Sequence, residues 1–94
     1  MKDVIHKQVI DYALLGFSHI FVATMPSGSK IVHFAEQGGM LVFWYQRPLV
    51  AETSEKRRFR VVGTGNPFEE GLFHRGTALL DDGSLVLHLM EIMD

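Results

Sequence analysis

Four turn signals cut this chain into short runs: Met25-Pro26-Ser27-Gly28-Ser29, Gln37-Gly38-Gly39, Gly63-Thr64-Gly65-Asn66-Pro67 and Asp81-Asp82-Gly83-Ser84. Proline sets φ, glycine tolerates φ > 0, and Asp-Gly favours reversal, so each marks a change of direction. The runs between them are dense in β-branched and aromatic residues. Lys30 to Glu36, Met40 to Gln46, Arg57 to Thr64, Gly71 to Leu80 and Leu85 to Met93 read as strands. Val4 to Tyr12 fits a helix or a strand, and its dense β-branched residues favour the strand; Ser18 to Thr24 adds another, after a bend at Leu14-Leu15-Gly16-Phe17. Short strands at regular spacing predict a mainly β fold, an antiparallel sandwich or small barrel of about six to seven strands.

Period-two alternation assigns faces. In the third strand Ile31, His33 and Ala35 oppose Val32, Phe34 and Glu36; in the seventh, Leu85, Leu87 and Leu89 oppose Val86, His88 and Met90. Met40 to Gln46 is apolar on both faces, which places it centrally or gives one face to an interface. Trp44 and Tyr45 point to opposite sides, so an interface must cover one of them if both are buried. At 94 residues the chain forms a single domain with a thin core, and burial of more surface through a homo-oligomer is expected.

Hydrophobic content of 47% argues against disorder. No apolar run approaches the ~20 residues of a membrane span, and no signal-peptide pattern opens the chain. Without cysteine there is no disulfide framework, thiol nucleophile or cysteine metal site. A cytoplasmic protein without membrane contact is expected. The net charge of −2 is not that of a general nucleic-acid binder, so polymeric nucleic acid is not an expected partner and any anion site must arise by local clustering.

The best such cluster is Lys56-Arg57-Arg58-Phe59-Arg60, which runs into the Gly63-to-Pro67 loop. Arg58 and Arg60 share a strand face and can grip a phosphate or carboxylate. The other reading is a solvated face opposite Glu52 or Glu55. Gly63 and Gly65 allow close backbone approach, successive N–H groups can form an anion nest, Thr64 and Asn66 add side-chain hydrogen bonds, and Phe68 offers a stacking surface. The alternative is a purely structural turn. No Gly-Lys-Ser/Thr follows, so this is not a nucleotide-hydrolase phosphate loop. Trp44 is a second stacking candidate beside its core reading. His33 and His88 lie within apolar strands as hydrogen-bonded core or rim histidines, and the run His74-Arg75-Gly76-Thr77 reads either as a ligand contact, with Arg75 in it, or as an exposed strand start. His6, His19, His33, His74 and His88 show no metal-ligand spacing, so neither a metal nor a cofactor is expected. No nucleophile elbow or tuned carboxylate pair argues for catalysis.

Met25-Pro26-Ser27-Gly28 leading to a strand with His33, a strand with Trp44, Arg58-Phe59-Arg60-Val61-Val62-Gly63-Thr64-Gly65-Asn66-Pro67, Gly76-Thr77 and His88 resembles a family of small phage-encoded proteins. That family often carries His where this chain has Asn66. The resemblance implies an anti-defence role of the oligomeric-sponge type, in which a non-enzymatic homo-oligomer in the host cytoplasm sequesters a cyclic-nucleotide or ADP-ribose-derived immune signal. The ligand contacts would be Arg58, Arg60, Gly63, Thr64, Gly65, Asn66 and Phe68, with Trp44, His33 and Arg75. Two alternatives stand beside it. One is a protein-interaction inhibitor of a host nuclease or defence complex, using Tyr45, Met40 and Leu49; the other is an accessory virion protein.

Overall fold

A computed structural model describes residues 2–10 and 20–93. The predicted bend at 14–17, positions 11, 12, 18 and 19 of the first two predicted strands, and His19 lie outside the described residues. The elements are β1 (Asp3–Ile10), β2 (Ile20–Pro26), β3 (Lys30–Gln37), β4 (Met40–Pro48), β5 (Ser54–Gly63), β6 (Leu72–Leu80), a 3₁₀ turn (Asp81–Gly83) and β7 (Leu85–Ile92). They form two antiparallel sheets, β1-β4-β3 and β2-β5-β7-β6, packed as a sandwich. The mainly β, seven-stranded expectation is therefore met.

The turn chemistry explains the connections. Gly38 and Gly39 both have positive φ, 60° and 85°, which is the two-residue hairpin geometry whose twist matches the flanking strands. In the β6–β7 connection Asp81 and Asp82 also sit at positive φ, 50° and 56°, and Ser84 Oγ donates back to the Asp81 carbonyl. β5 starts three residues earlier than its alternation suggests, because Ser54 and Glu55 pair with Pro26 and Met25 of β2.

The inner faces meet in an aromatic centre. Phe43 of the small sheet lies 5.5 Å from Phe59 of the large one, and Phe21 stacks on Phe59 at 5.4 Å. Met25, Phe34, Leu41, Leu87 and Leu89 are fully buried around them. Tyr45 belongs to this core at 9% exposure, with its ring 6.1 Å from Phe43. It is therefore unavailable as the exposed hot spot considered from sequence, while Trp44 remains half-buried on the outer face.

Two β-bulges break the simple alternation. The first lies between Ile31 and His33, so that Ile31 and Phe34, three residues apart, both turn inward while His33 is exposed. The second lies between His74 and Gly76. There β6 comes close to β3: a Cβ on Gly76 would fall 2.7 Å from the Phe34 Cβ, inside contact distance. Only glycine lets the two sheets close at this edge.

Candidate ligand-binding site

On the outer face of the large sheet, β5 presents Lys56, Arg58, Arg60 and Val62, opposite Thr24, Val22 and Ile20 of β2 and Ile92, Met90 and His88 of β7. Val62 and Met90 are buried at 5% and 4% although they face away from the aromatic core. The connection from β5 to β6, residues 64–71, passes over them. A cavity of about 250 Å³ lies beneath it, floored by Val62 and Met90, roofed by Gly63, Thr64, Gly65, Asn66 and Phe68, and walled by His74 and His88. Five of the ten sequence-predicted contacts thus line one space.

The loop amides do not form the open anion nest anticipated from the glycines. Thr64 N–H donates to the Val86 carbonyl at 3.1 Å and Asn66 N–H to the Gly63 carbonyl at 3.1 Å. Gly65, at φ 86°, allows the reversal, and the loop contributes shape and side chains. Arg60 anchors it through an ion pair with Glu69 at 2.5 Å. That contact, with the backbone bonding around it, holds the exposed Glu69 carboxyl below its ordinary range. The Arg60 Nε is buried with no hydrogen-bond partner among the described residues. Arg58, on the same face two residues earlier, lines a neighbouring depression of about 340 Å³ with Lys56, Arg57 and Glu91.

The bulge in β6 builds the polar wall. With Arg75 as the extra residue, His74 pairs with Met90 and Thr77 with His88, so His74 and Thr77 share the outer face despite their odd separation. A chain of short contacts follows. His74 Nε2 lies 2.9 Å from Thr77 Oγ1, Thr77 Oγ1 lies 3.0 Å from His88 Nδ1, and His88 Nε2 lies 2.7 Å from Thr64 Oγ1. Thr64 Oγ1 is also within 3.3 Å of the Val86 carbonyl, which only accepts. Desolvation, reinforced by the neighbouring His74, pushes the His88 imidazole below the usual histidine range. His88 is thus neutral at neutral pH, one nitrogen donating and the other accepting.

The remaining predicted contacts lie elsewhere. Trp44 and His33 lie with their rings tilted at 38° and 5.5 Å apart on the outer face of the small sheet, on the far side of the sandwich from the loop. Arg75 points to the end of the core, where its Nε donates to Glu91 at 2.9 Å. Arg57 grips the same carboxylate with two bonds of 2.6 and 2.7 Å. Burial raises the Glu91 pKa, but the hydrogen bonds and charges of Arg57 and Arg75 outweigh it and hold the carboxyl below its usual range. The bond to Glu91 in turn raises the Arg57 pKa. Sequence reasoning weighed the His74-to-Thr77 run as a ligand contact and read His88 as a core or rim histidine; that His74, Thr77 and His88 meet on one face follows from the bulge, which alternation alone does not show.

The whole chain, residues 1–94, matches the family model described as "Domain of unknown function (DUF7352)", and it belongs to that family. No curated protein and no solved structure gives a significant match. Among the described residues no helix is long and apolar enough to cross a membrane, and no three His, Cys, Asp or Glu side chains converge on a metal-sized site.

Proposed function

We propose that this chain is a non-enzymatic binding protein that holds a nucleotide-like anion in the cavity under residues 64–71. The observation that carries this reading is the cavity's division of labour. Val62, Met90 and Phe68 offer apolar surface to a planar base, while His74, His88 and Asn66 offer donors and acceptors at its edge. At about 250 Å³ the space is a little below the ~300–1,000 Å³ of complete small-molecule sites, so it takes one base or nucleoside of a larger ligand. The phosphates then lie over the arginine column of β5. Arg60 is available to them by exchange of the exposed Glu69 for a phosphate, and its unsatisfied Nε stands beside the site. In the setting implied by the phage-family resemblance, the ligand is a cyclic-oligonucleotide or ADP-ribose-derived immune signal, sequestered in the host cytoplasm by a homo-oligomer. Exposed Ile5 and Val9 on β1, an edge strand, and Ile20 and Val22 on β2 are surfaces an oligomer would cover.

The patch considered for the protein-inhibitor alternative is not assembled: Tyr45 is in the core, and Met40, which opens the nine-residue β4, and Leu49, which follows it, are about 30 Å apart at ~3.3 Å per residue. A thermal-shift screen against cyclic di- and trinucleotides and cyclic ADP-ribose isomers, with mass determination of the assembly, tests the proposal. A rise in melting temperature that disappears in Phe68→Ala supports it. A flat response to every nucleotide at millimolar concentration overturns it.

A further inference from the structure

We infer that β1 is a dimer seam: the β1 edges of two copies of this chain pair antiparallel about Ile5 and join their three-stranded sheets into one continuous sheet. Strand edges differ in how open they are. β3 and β6 lie against each other where Gly76 meets Phe34, so these two edges are covered. β1 and β2 have no further strand beside them among the described residues. They are not equivalent. Ser27 N–H donates to the Thr53 carbonyl, so the odd positions of β2 bond β5, and Ile20, Val22, Thr24 and Pro26 turn their backbones outward. Pro26 has no N–H to offer, and its carbonyl already accepts from Ser29 N–H and Ser29 Oγ. That blunts the β2 edge against pairing.

β1 carries no such block. Leu49 N–H donates to the Lys2 carbonyl, and Pro48, which lacks an N–H, stands opposite Asp3. The even positions of β1 therefore bond β4, while Asp3, Ile5, Lys7 and Val9 turn N–H and C=O to the open edge. The side chains of these four share the outer face, and Ile5 is 57% exposed there. When two such edges pair about Ile5, Asp3 meets the partner's Lys7, Ile5 meets the partner's Ile5, and Lys7 meets the partner's Asp3. Each pair exchanges two backbone hydrogen bonds, and every pair of facing side chains is opposite in charge or apolar on both sides. Other registers with the same backbone parity are worse. An axis at His6 sets Lys7 against Ile5, and an axis at Lys7 sets two lysines together. Both charges are available. Lys7 Nζ donates to the neutral Gln37 side chain at 2.9 Å, and Asp3 accepts from Gln46 through Oδ2 at 2.8 Å; neither makes an ion pair among the described residues. A lysine on an open edge deters chance strands. A lysine whose counter-ion is supplied by the same strand admits a second copy. This names the interface of the homo-oligomer in the function proposed above, uses nothing about its ligand and is tested without nucleotide, so the two can fail separately.

The test is sedimentation equilibrium of the full chain without nucleotide. The expected species has twice the 10.6 kDa mass of one chain. Asp3→Lys alone and Lys7→Asp alone each set like charges opposite at both ends of the seam, and each should weaken the dimer by about tenfold or more. The two substitutions in one chain restore opposite charges and should restore the dimer. An equal mixture of the two single variants should form a heterodimer, because its facing charges are again opposite. Circular dichroism shows whether each variant folds. Should one fail to fold, amide hydrogen exchange of the unmodified protein gives the second readout: protection at Ile5 and Lys7 must rise with protein concentration. A monomer at about 1 mM, a dimer indifferent to both single substitutions, or concentration-dependent protection at Val22 and Thr24 of β2 in place of Ile5 and Lys7 overturns the assignment.

Discussion

Strands β6 and β7 carry two polar clusters on opposite faces, and the two have opposite logic. At the inner end, Arg57 and Arg75 close on Glu91, whose side chain is 3% exposed, and three charge-assisted bonds use both carboxylate oxygens. Arg57 also donates to the Ser29 carbonyl and so ties β5 to the β2–β3 turn. Both carboxylate oxygens are used, and the two arginines are committed to a group within the fold. On the outer face, His74, Thr77, His88 and Thr64 are bonded to one another beside a cavity, with Thr64 Oγ1 also bonded to the Val86 carbonyl. A charged cluster closed on a buried carboxylate holds a fold together; a polar one at the rim of a cavity is suited to binding.

Substitutions break the two clusters in different ways. The largest expected effect is Glu91→Ala, which leaves two arginines at the core end without their carboxylate and should cost about 3–5 kcal/mol in urea unfolding, with ligand contacts untouched. Gly76→Ala follows, at about 1–3 kcal/mol, because its methyl group meets the Phe34 Cβ; thermal melts measure it. His88→Gln is expected to leave the melting temperature within a few degrees of the original and to weaken ligand binding, which separates the clusters most cleanly.

The pH dependence sharpens the contrast. Glu91 has a depressed pKa in the folded state, so its stabilisation is present above the unfolded value of ~4.5 and is lost as pH falls through the folded pKa. His88 is also depressed, but for a histidine this means that the unfolded chain binds the extra proton first. Stability should therefore decline gently as pH falls below ~6.5, well before the Glu91 loss begins. Acid unfolding of wild type and His88→Gln checks this, because the upper phase should vanish in the variant. The smallest effect is at Glu69→Ala, where an exposed ion pair is lost with little change in melting temperature, while affinity for an anionic ligand should rise because Arg60 loses its competing carboxylate.

Much of the architecture was legible in the chain. Turn chemistry at Gly38-Gly39 and Asp81-Asp82-Gly83 marks the strand ends, and alternation in β7 identifies the core leucines. The Gly63-to-Phe68 loop was legible as a candidate site because its composition is local, and its residues line one cavity. What stayed hidden depended on parity. A single extra residue at each bulge turns Ile31 and Phe34 to the same inner face and sets His74 beside Thr77, neither of which a strict period of two allows. Arg75 and Arg57 look like surface cations until Glu91, 16 and 34 residues away, is known to lie between them. Trp44 and the arginine column resemble parts of one site in sequence, yet the sandwich places them on opposite outer faces.

The most direct measurement is therefore a nuclear magnetic resonance titration with the nucleotide that gives the largest thermal shift, following the Met90 methyl, the His88 ring and the Trp44 indole together. Movement of Met90 and His88 with a stationary Trp44 is the expected result and locates the ligand under residues 64–71. Movement of Trp44 with Met90 and His88 unchanged would contradict it and transfer the binding surface to the three-stranded sheet.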